Sequence, residues 1–241
     1  MFKYNSTNRD LGQVFYSINN ESNEAIFYCF MLDEKGEKMS KSKGNAIDAF
    51  EMLNKYGSDP VRWYMIENSN PWDNLKFAPK GVEEAQRRFF GTLKNTYAFF
   101  ALYANLDKYN YSKETHISIE KCTESDRWII SKLNSLVKIC DTAYSDYDAT
   151  KAARAISSFL MDDVSNWYVR LNRKRFWKDE LNENKKAAYQ TLYLCLETLS
   201  RISSPIAPFY MDFLYRDLHK ASENQVLSVH LSDFPEADEA L

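Results

Sequence analysis

The sequence predicts a mainly α fold: a short irregular α/β segment followed by an antiparallel α-helical bundle. Two observations carry this. All six glycines (Gly12, Gly36, Gly44, Gly57, Gly81, Gly91) lie in the first 91 residues, and neither Gly nor Pro occurs from Thr92 to Ser204. Tight β-turns usually need those residues, so their absence favours helices joined by short polar loops. From Gly81 onward, apolar residues recur at three and four positions, which stacks them on one helix face. With 241 residues, 44% of them hydrophobic and 15% aromatic, the chain can bury a real core and is not a disordered one.

The elements follow in order. Residues 1–31 stay unassigned: YNSTNRD and INNESNE read as polar turns, and AIFYCFML as a short buried strand. LDEKGEKMSKSKGN is a charged loop punctuated by glycine. A short helix from Ala46 to Tyr56 would carry Ile47, Phe50 and Leu53 on one face and end at Gly57. Asp59-Pro60 would start another, with Pro at its first position and Val61, Trp63, Tyr64 and Ile66 following. NSNPWDNLKFAPKG closes this region as a loop, with Trp72-Asp73-Asn74 as its anchor.

Behind it, Val82, Ala85, Phe89, Leu93, Thr96, Phe100 and Tyr103 form one long stripe. Thr123-Glu-Ser-Asp126 has capping-box character and opens a helix with Ile129, Leu133, Leu136, Cys140 and Ala143 inward. Asp148 or Thr150 caps the next, with Ala152, Ile156, Phe159, Val164, Trp167 and Leu171 on its inner face. Ala188, Leu192, Cys195, Leu199 and Ile202 mark a fifth helix. Ser204-Pro205 opens a sixth, with Ile206, Phe209, Phe213 and Leu218. Three units result: 1–31, 32–80 with the charged loop, and the helical 81–241.

The charge balance, 31 basic against 34 acidic residues, gives a net charge of −3. A contact with nucleic acid must therefore come from a local patch. No apolar run approaches the ~18 residues of a membrane span, and the first residues lack the basic-then-apolar layout of a signal peptide. Cys29, Cys122, Cys140 and Cys195 stand singly, which argues against a zinc site and for a reducing, cytoplasmic setting. Asp162-Asp163 is a carboxylate pair whose members point to different helix faces, so no metal site is expected.

Lys38-Met39-Ser40-Lys41-Ser42, followed by Lys43-Gly44-Asn45, is the first candidate site. Three ammonium groups on flexible stems can follow negative charge along a phosphate chain, Ser40 and Ser42 can donate hydrogen bonds, and the glycines let the loop hinge. Spacing alone equally allows a solvated charge run. The second is Asn166-Trp-Tyr-Val-Arg170-Leu-Asn-Arg173-Lys174-Arg175-Phe-Trp177-Lys178, which holds no acid. Its cations can meet phosphates and Trp177 can stack on an unpaired base, or the whole can be a solvated helical face. Gln86, Arg87, Arg88 and Asn95 on the first long helix can face the same partner.

KMSKS in full resembles the second signature of the class I aminoacyl-tRNA synthetases. LDEKGEKMSKSKGNAIDAFEMLNKYGSDPVRWYMI is similar to the class Ia pattern, and NPWDNLKF, GVEEAQRRFFGTLKNTYAFFALYAN, DRWIISKLNSL, SNWYVRLNRKRFWK and SPIAPFYMDFLYRDL resemble the isoleucyl branch. The resemblance covers residues 32–236. It implies ATP-dependent attachment of isoleucine to tRNA(Ile), with ATP and Mg2+ as substrates. Lys38, Met39, Ser40, Lys41 and Ser42 would then form the catalytic loop. Lys41 would be the principal phosphate contact, Lys38 and Lys43 secondary ones. Asn95, Asn166, Arg170, Arg173, Lys174, Arg175, Trp177 and Lys178 would hold tRNA in an anticodon-binding bundle. A monomer that binds neither DNA nor membrane is the expectation.

The family's HIGH signature has no counterpart here: His116, His219 and His230 stand outside any H-x-G-H setting. The chain is therefore expected to be an inactive piece of such an enzyme, with any zinc in regions it lacks. A valyl-type piece, a non-catalytic RNA-binding module and a helical scaffold remain the alternatives.

Overall fold

In the computed structural model, which describes residues 15–19, 24–28, 31–70, 73–177, 180–220 and 227–238, short strands join the front of the chain to the helices. β1 (Phe15–Asn19) and β2 (Glu24–Tyr28) form an antiparallel hairpin. β3 (Met31–Leu32) runs parallel to β4 (Leu75–Lys76). Described residues of the apolar run AIFYCFML thus belong to two strands, β2 and β3, and the middle of INNESNE lies outside the described residues. YNSTNRD, Cys29 and Trp72 lie outside the described residues.

α1 (Ala49–Tyr56) begins where the Asp48 carboxylate accepts the Glu51 amide at 3.0 Å, a helix cap. Its inner face differs from the one predicted. Met52 and Tyr56 are buried, whereas Phe50 is 76% exposed and Leu53 points outward with it. α2 (Ser58–Asn68) starts two residues before Pro60, so the proline sits in the first turn but not at the first position. There its missing N–H costs no hydrogen bond.

α3 (Pro79–Ala85) runs without a break through a π-helical turn, Gln86–Phe90, into α4 (Gly91–Leu106). All the predicted inward residues of this helix are buried except Tyr103, which packs half-buried on the core. Gly81 is required by packing. A Cβ there would meet Cε2 of Tyr64 at 2.3 Å, and the Tyr64 hydroxyl is fixed by donating to the Lys76 carbonyl and accepting from the Ala78 amide, each at 3.1 Å.

α5 (Glu124–Ser145) opens with the predicted capping box of Thr123 and Asp126. α6 (Ala149–Ser158), capped by Asp148, leads into a π-helical segment, Phe159–Val169, and then α7 (Arg170–Trp177). This segment overturns part of the predicted stripe. A π turn takes about 4.4 residues instead of 3.6, so the inner face passes to Leu160, Val164, Tyr168, Asn172 and Phe176. Trp167 and Leu171 are carried outward, 42% and 60% exposed.

α8 (Glu183–Ser203) is buried along most of its length. α9 (Pro208–Leu218) starts at Pro208, not Ser204-Pro205. Its buried side is Met211, Leu214 and Tyr215, and the predicted Phe209 and Phe213 are exposed. Cys122, Cys140 and Cys195 are free and buried. Burial pushes the Cys140 thiol up to about 12, so these thiols pack as small apolar groups. No described helix is long and apolar enough to cross a membrane.

One core runs from α1 and α2 through the long helices. Trp63 of α2 is fully buried and stacks on Phe89 with ring centroids 3.7 Å apart. Arg154 of α6 donates to the carbonyls of Glu67 and Asn68 at the end of α2, at 2.9 and 3.3 Å. Arg62 reaches the carbonyls of Ile206 and Pro205 at 2.8 and 3.2 Å.

Candidate functional site

The charged loop leaves β3 and is folded by two residues outside the lysine cluster. The Asp33 carboxylate accepts the amides of Lys35 and Glu37 at 3.0 and 2.8 Å, which closes the first turn around Gly36. Its other oxygen accepts from the Asn45 side-chain Nδ2 at 2.9 Å, and the Asn45 side-chain Oδ1 accepts the Ser40 amide at 2.9 Å. These donors, the Asn45 amide first, hold the Asp33 carboxyl below its ordinary range. From the sequence, Asn45 enters the motif without a role and Asp33 is omitted, although an Asx residue flanking a glycine turn is a recognisable signal.

On this frame Lys41–Lys43 make one 3-10 turn ended by Gly44 at φ +69°. Ser40 and Ser42 share a hydrogen bond of 2.7 Å. Lys38, Lys41, Ser42 and Lys43 are exposed, and Lys38 bridges Leu32 through its backbone. Met39 differs from its neighbours in chemistry, for its half-buried side chain packs on the core and anchors the loop. The structure therefore presents the ammonium groups of Lys41 and Lys43 at the tip of a loop whose base is tied.

The second group of predicted residues divides. Asn166, Arg170, Arg173, Lys174 and Trp177 are exposed, Trp177 to 55%. Arg175 is not among them. Its guanidinium grips Asp126 at 2.7 and 2.8 Å and donates to the Asn184 carbonyl at 2.7 Å. Asp126 has no exposed surface and also accepts from the Tyr168 hydroxyl at 2.6 Å. Burial pushes the Asp126 carboxyl up, but the bonds from Arg175, Tyr168 and Thr123 outweigh it and leave it below its usual value. Arg175 thus ties α7 to the start of α5 and is spent on that task. Lys178 lies outside the described residues.

The first long helix supplies neighbours. Arg88, Thr92, Met161, Asp162, Ser165 and Asn166 line a hollow of about 220 Å³. It adjoins a groove of about 600 Å³ that reaches Tyr64, Glu67 and Arg154. Further along, Phe99 and Phe176 touch with ring centroids 5.1 Å apart. Residues 88 to 99 and 162 to 176 therefore advance side by side in the same direction. Asn95 follows Arg88 and Thr92 at helical spacing and is exposed. Arg88 is paired with Glu84 at 3.1 Å, Gln86 is bonded to the Tyr56 carbonyl, and Arg87 is exposed.

Two families match this chain at complementary places. The family described as tRNA synthetases class I (I, L, M and V) matches residues 19–78, which contain the charged loop, and the anticodon-binding domain of tRNA ligase matches residues 126–241. The chain belongs to the class I tRNA synthetases. Among its relatives, an isoleucine–tRNA ligase of Cytophaga hutchinsonii is 62% identical over 87% of this chain and 19% of the relative. One of Bacteroides thetaiotaomicron is 56% identical over 88% of this chain and 18% of the relative. The chain spans about a fifth of the length of these synthetases. Its fold is similar to that of the LeuRS of Agrobacterium radiobacter K84, solved in a ternary complex with tRNA and LeuAMS. The TM-score is 0.63 at 20% identity, over 88% of this chain and 23% of that one.

Proposed function

We propose that this chain is the signature-loop and anticodon-binding part of an isoleucine–tRNA ligase of class Ia, acting on ATP, isoleucine and tRNA(Ile). The observation that carries the proposal is the pairing, in one chain, of a tied loop presenting Lys41 and Lys43 with an exposed cationic helix. Several isoleucine–tRNA ligases at 44–62% identity over the same region support it. In this reading the helices form the family's antiparallel bundle, with α4 beside α7 as a pair running the same way. The chain acts as a monomer in the cytoplasm.

During activation the isoleucine carboxylate attacks the α-phosphate of ATP, a P–O bond forms, and the bond to pyrophosphate breaks with its electron pair on the leaving oxygen. Lys41 stabilises that charge, with Lys38 and Lys43 beside it and Ser40 and Ser42 shaping the turn. Charge placed before the reaction costs no reorganisation when the bond breaks, which is why the Asp33–Asn45 frame matters. Met39 is a positioning residue. Among the described residues no group of carboxylates, histidines or cysteines is arranged to hold a metal ion. Magnesium would enter as the counter-ion of ATP and supply charge to its phosphates.

On the helical side, Asn166, Arg170, Arg173 and Lys174 hold the tRNA backbone and Trp177 stacks on a base, with Asn95 alongside and Lys178 continuing the charge. Arg175 is left out because Asp126 occupies it. The test is binding of the chain to tRNA(Ile) across a salt series. Affinity should fall steeply with salt, and the Arg170→Gln, Arg173→Gln double variant should lower the logarithmic slope by about 1–2. An unchanged slope would remove the cationic helix from the tRNA surface.

A further inference from the structure

The π-helical segment turns one large aromatic toward solvent and props it there. Trp167 lies against Trp128 of α5, ring centroids 4.2 Å apart and planes tilted by 43°. Trp128 is half-buried on the core, and Lys132 Nζ stands 5.8 Å from its ring centroid. Lys132 also pairs with Asp163 at 3.8 Å, so the acid one turn before Trp167 is matched. Arg170, Leu171 and Lys174 follow Trp167 at three, four and seven positions and are all exposed. No acid occurs from Val164 to Trp177, in a chain of net charge −3.

An indole left half in water is an unfavourable use of apolar area unless something covers it. Here Trp128 covers one side and fixes the ring, so little side-chain freedom remains to be lost on binding. What is left open is a flat π surface bordered by cations. That combination complements a polyanion carrying flat unstacked rings, not an apolar or basic protein face.

We infer that Trp167, braced by Trp128, is a nucleobase-stacking platform that takes one unpaired base of single-stranded RNA, while Arg170 and Lys174 meet the flanking phosphates. The inference rests on the tRNA-binding reading above. It adds a base contact roughly 15 Å along the helix from Trp177, at the ~1.5 Å rise of each residue.

The experiment titrates the chain with a fluorescent anticodon stem-loop RNA of tRNA(Ile), intact or with a single abasic nucleotide at each loop position in turn. Trp167→Ala should weaken binding of the intact loop by roughly 5- to 150-fold, the span of one base–aromatic stack, with the salt slope unchanged. Trp167→Phe should retain most of the affinity. Trp167→Leu, which keeps apolar bulk on Trp128 without a π face, should lose it. One abasic position should weaken the wild-type chain by the same factor and cost the folded Ala or Leu variant nothing further. Circular dichroism checks folding, and Leu replaces Ala if the Ala variant unfolds. Wild-type affinity in a folded Ala or Leu variant, with steep salt dependence intact, would overturn the platform and leave the cationic RNA surface standing. A wild-type chain that binds no stem-loop at all would overturn both.

Discussion

Arg170 and Arg175 lie on one short helix, yet they do different work because of what surrounds each guanidinium. Arg170 is exposed, while Arg175 holds a carboxylate that has no exposed surface. Removing one member of such a buried pair leaves the other charge desolvated, at a cost of about 3–5 kcal/mol. Asp126→Asn and Arg175→Ala should each lower urea-unfolding stability by about that amount, and Arg170→Ala should change it by less than ~0.5 kcal/mol. The pH dependence follows from the sign. The folded state holds the Asp126 carboxyl below its ordinary value. The pair therefore contributes above the unfolded carboxylate value near ~3.9 and is lost as pH falls through the lower folded value. Between pH 7 and about pH 2 the urea midpoint should fall further in wild type than in Asp126→Asn. Equal falls would show that Asp126 does not set the acid limit. The loop offers a second case. Asn45→Ala removes the acceptor of the Ser40 amide and a donor to Asp33. Hydrogen exchange at Ser40 should then speed up while amides of α5 and α8 keep their protection. Unchanged exchange at Ser40 would mean that Asn45 does not hold the loop. The KMSKS run was legible as residues. Its frame was not, because Asp33 and Asn45 are twelve positions apart and only the fold brings them together.

At the level of elements, regular periodicity was readable and its interruptions were not. The stripes of α5 and α8 are buried as the sequence predicts, every one of Ile129, Leu133, Leu136, Cys140 and Ala143 among them. The predicted stripe of α6 and α7 holds through Val164 and fails at Trp167 and Leu171, because nothing in the composition of Phe159–Val169 announces a π turn and each such turn shifts the face. Short helices mislead for another reason. In α1 and α9 large apolar residues stand on both sides, and packing selects Met52 and Met211 while leaving Phe50, Phe209 and Phe213 outside. A pair of substitutions tests the shifted register. Phe176→Ala should cost about 3–5 kcal/mol as a core truncation, and Leu171→Ala less than ~0.5 kcal/mol, by urea unfolding. Unshifted 3.6-residue periodicity predicts the reverse order, with Leu171 the costly site.

Across the whole molecule, the sequence suggests a boundary near residue 80, where glycines and loops give way to helices, but the packing does not stop there. Trp63 before that boundary stacks on Phe89 after it, Arg154 caps the end of α2, and Arg62 binds the carbonyls that precede α9. The Asp59 carboxylate accepts the Tyr210 amide at 2.6 Å, joining the starts of α2 and α9. Thr150 donates to the carbonyls of Ile66 and Ser69 at 2.7 and 3.0 Å. Bonds that cross a boundary in this number couple the two sides, since opening α2 would expose Phe89 and Phe90 together with Trp63. Such coupling would place the lysine loop and the cationic helix α7 on one rigid support, so that a shift at one end is felt at the other. The expected outcome is a single unfolding transition. A variant retaining Trp63 and carrying Phe at Trp72, Trp128, Trp167 and Trp177 reports on α2 by fluorescence. Far-ultraviolet circular dichroism, in the same samples, reports mainly on the long helices. The two urea curves should share one midpoint and one slope, and Arg154→Ala should move both together. A fluorescence transition at lower urea than the loss of helix would show instead that α2 melts as its own unit, with the boundary at residue 80 a real one.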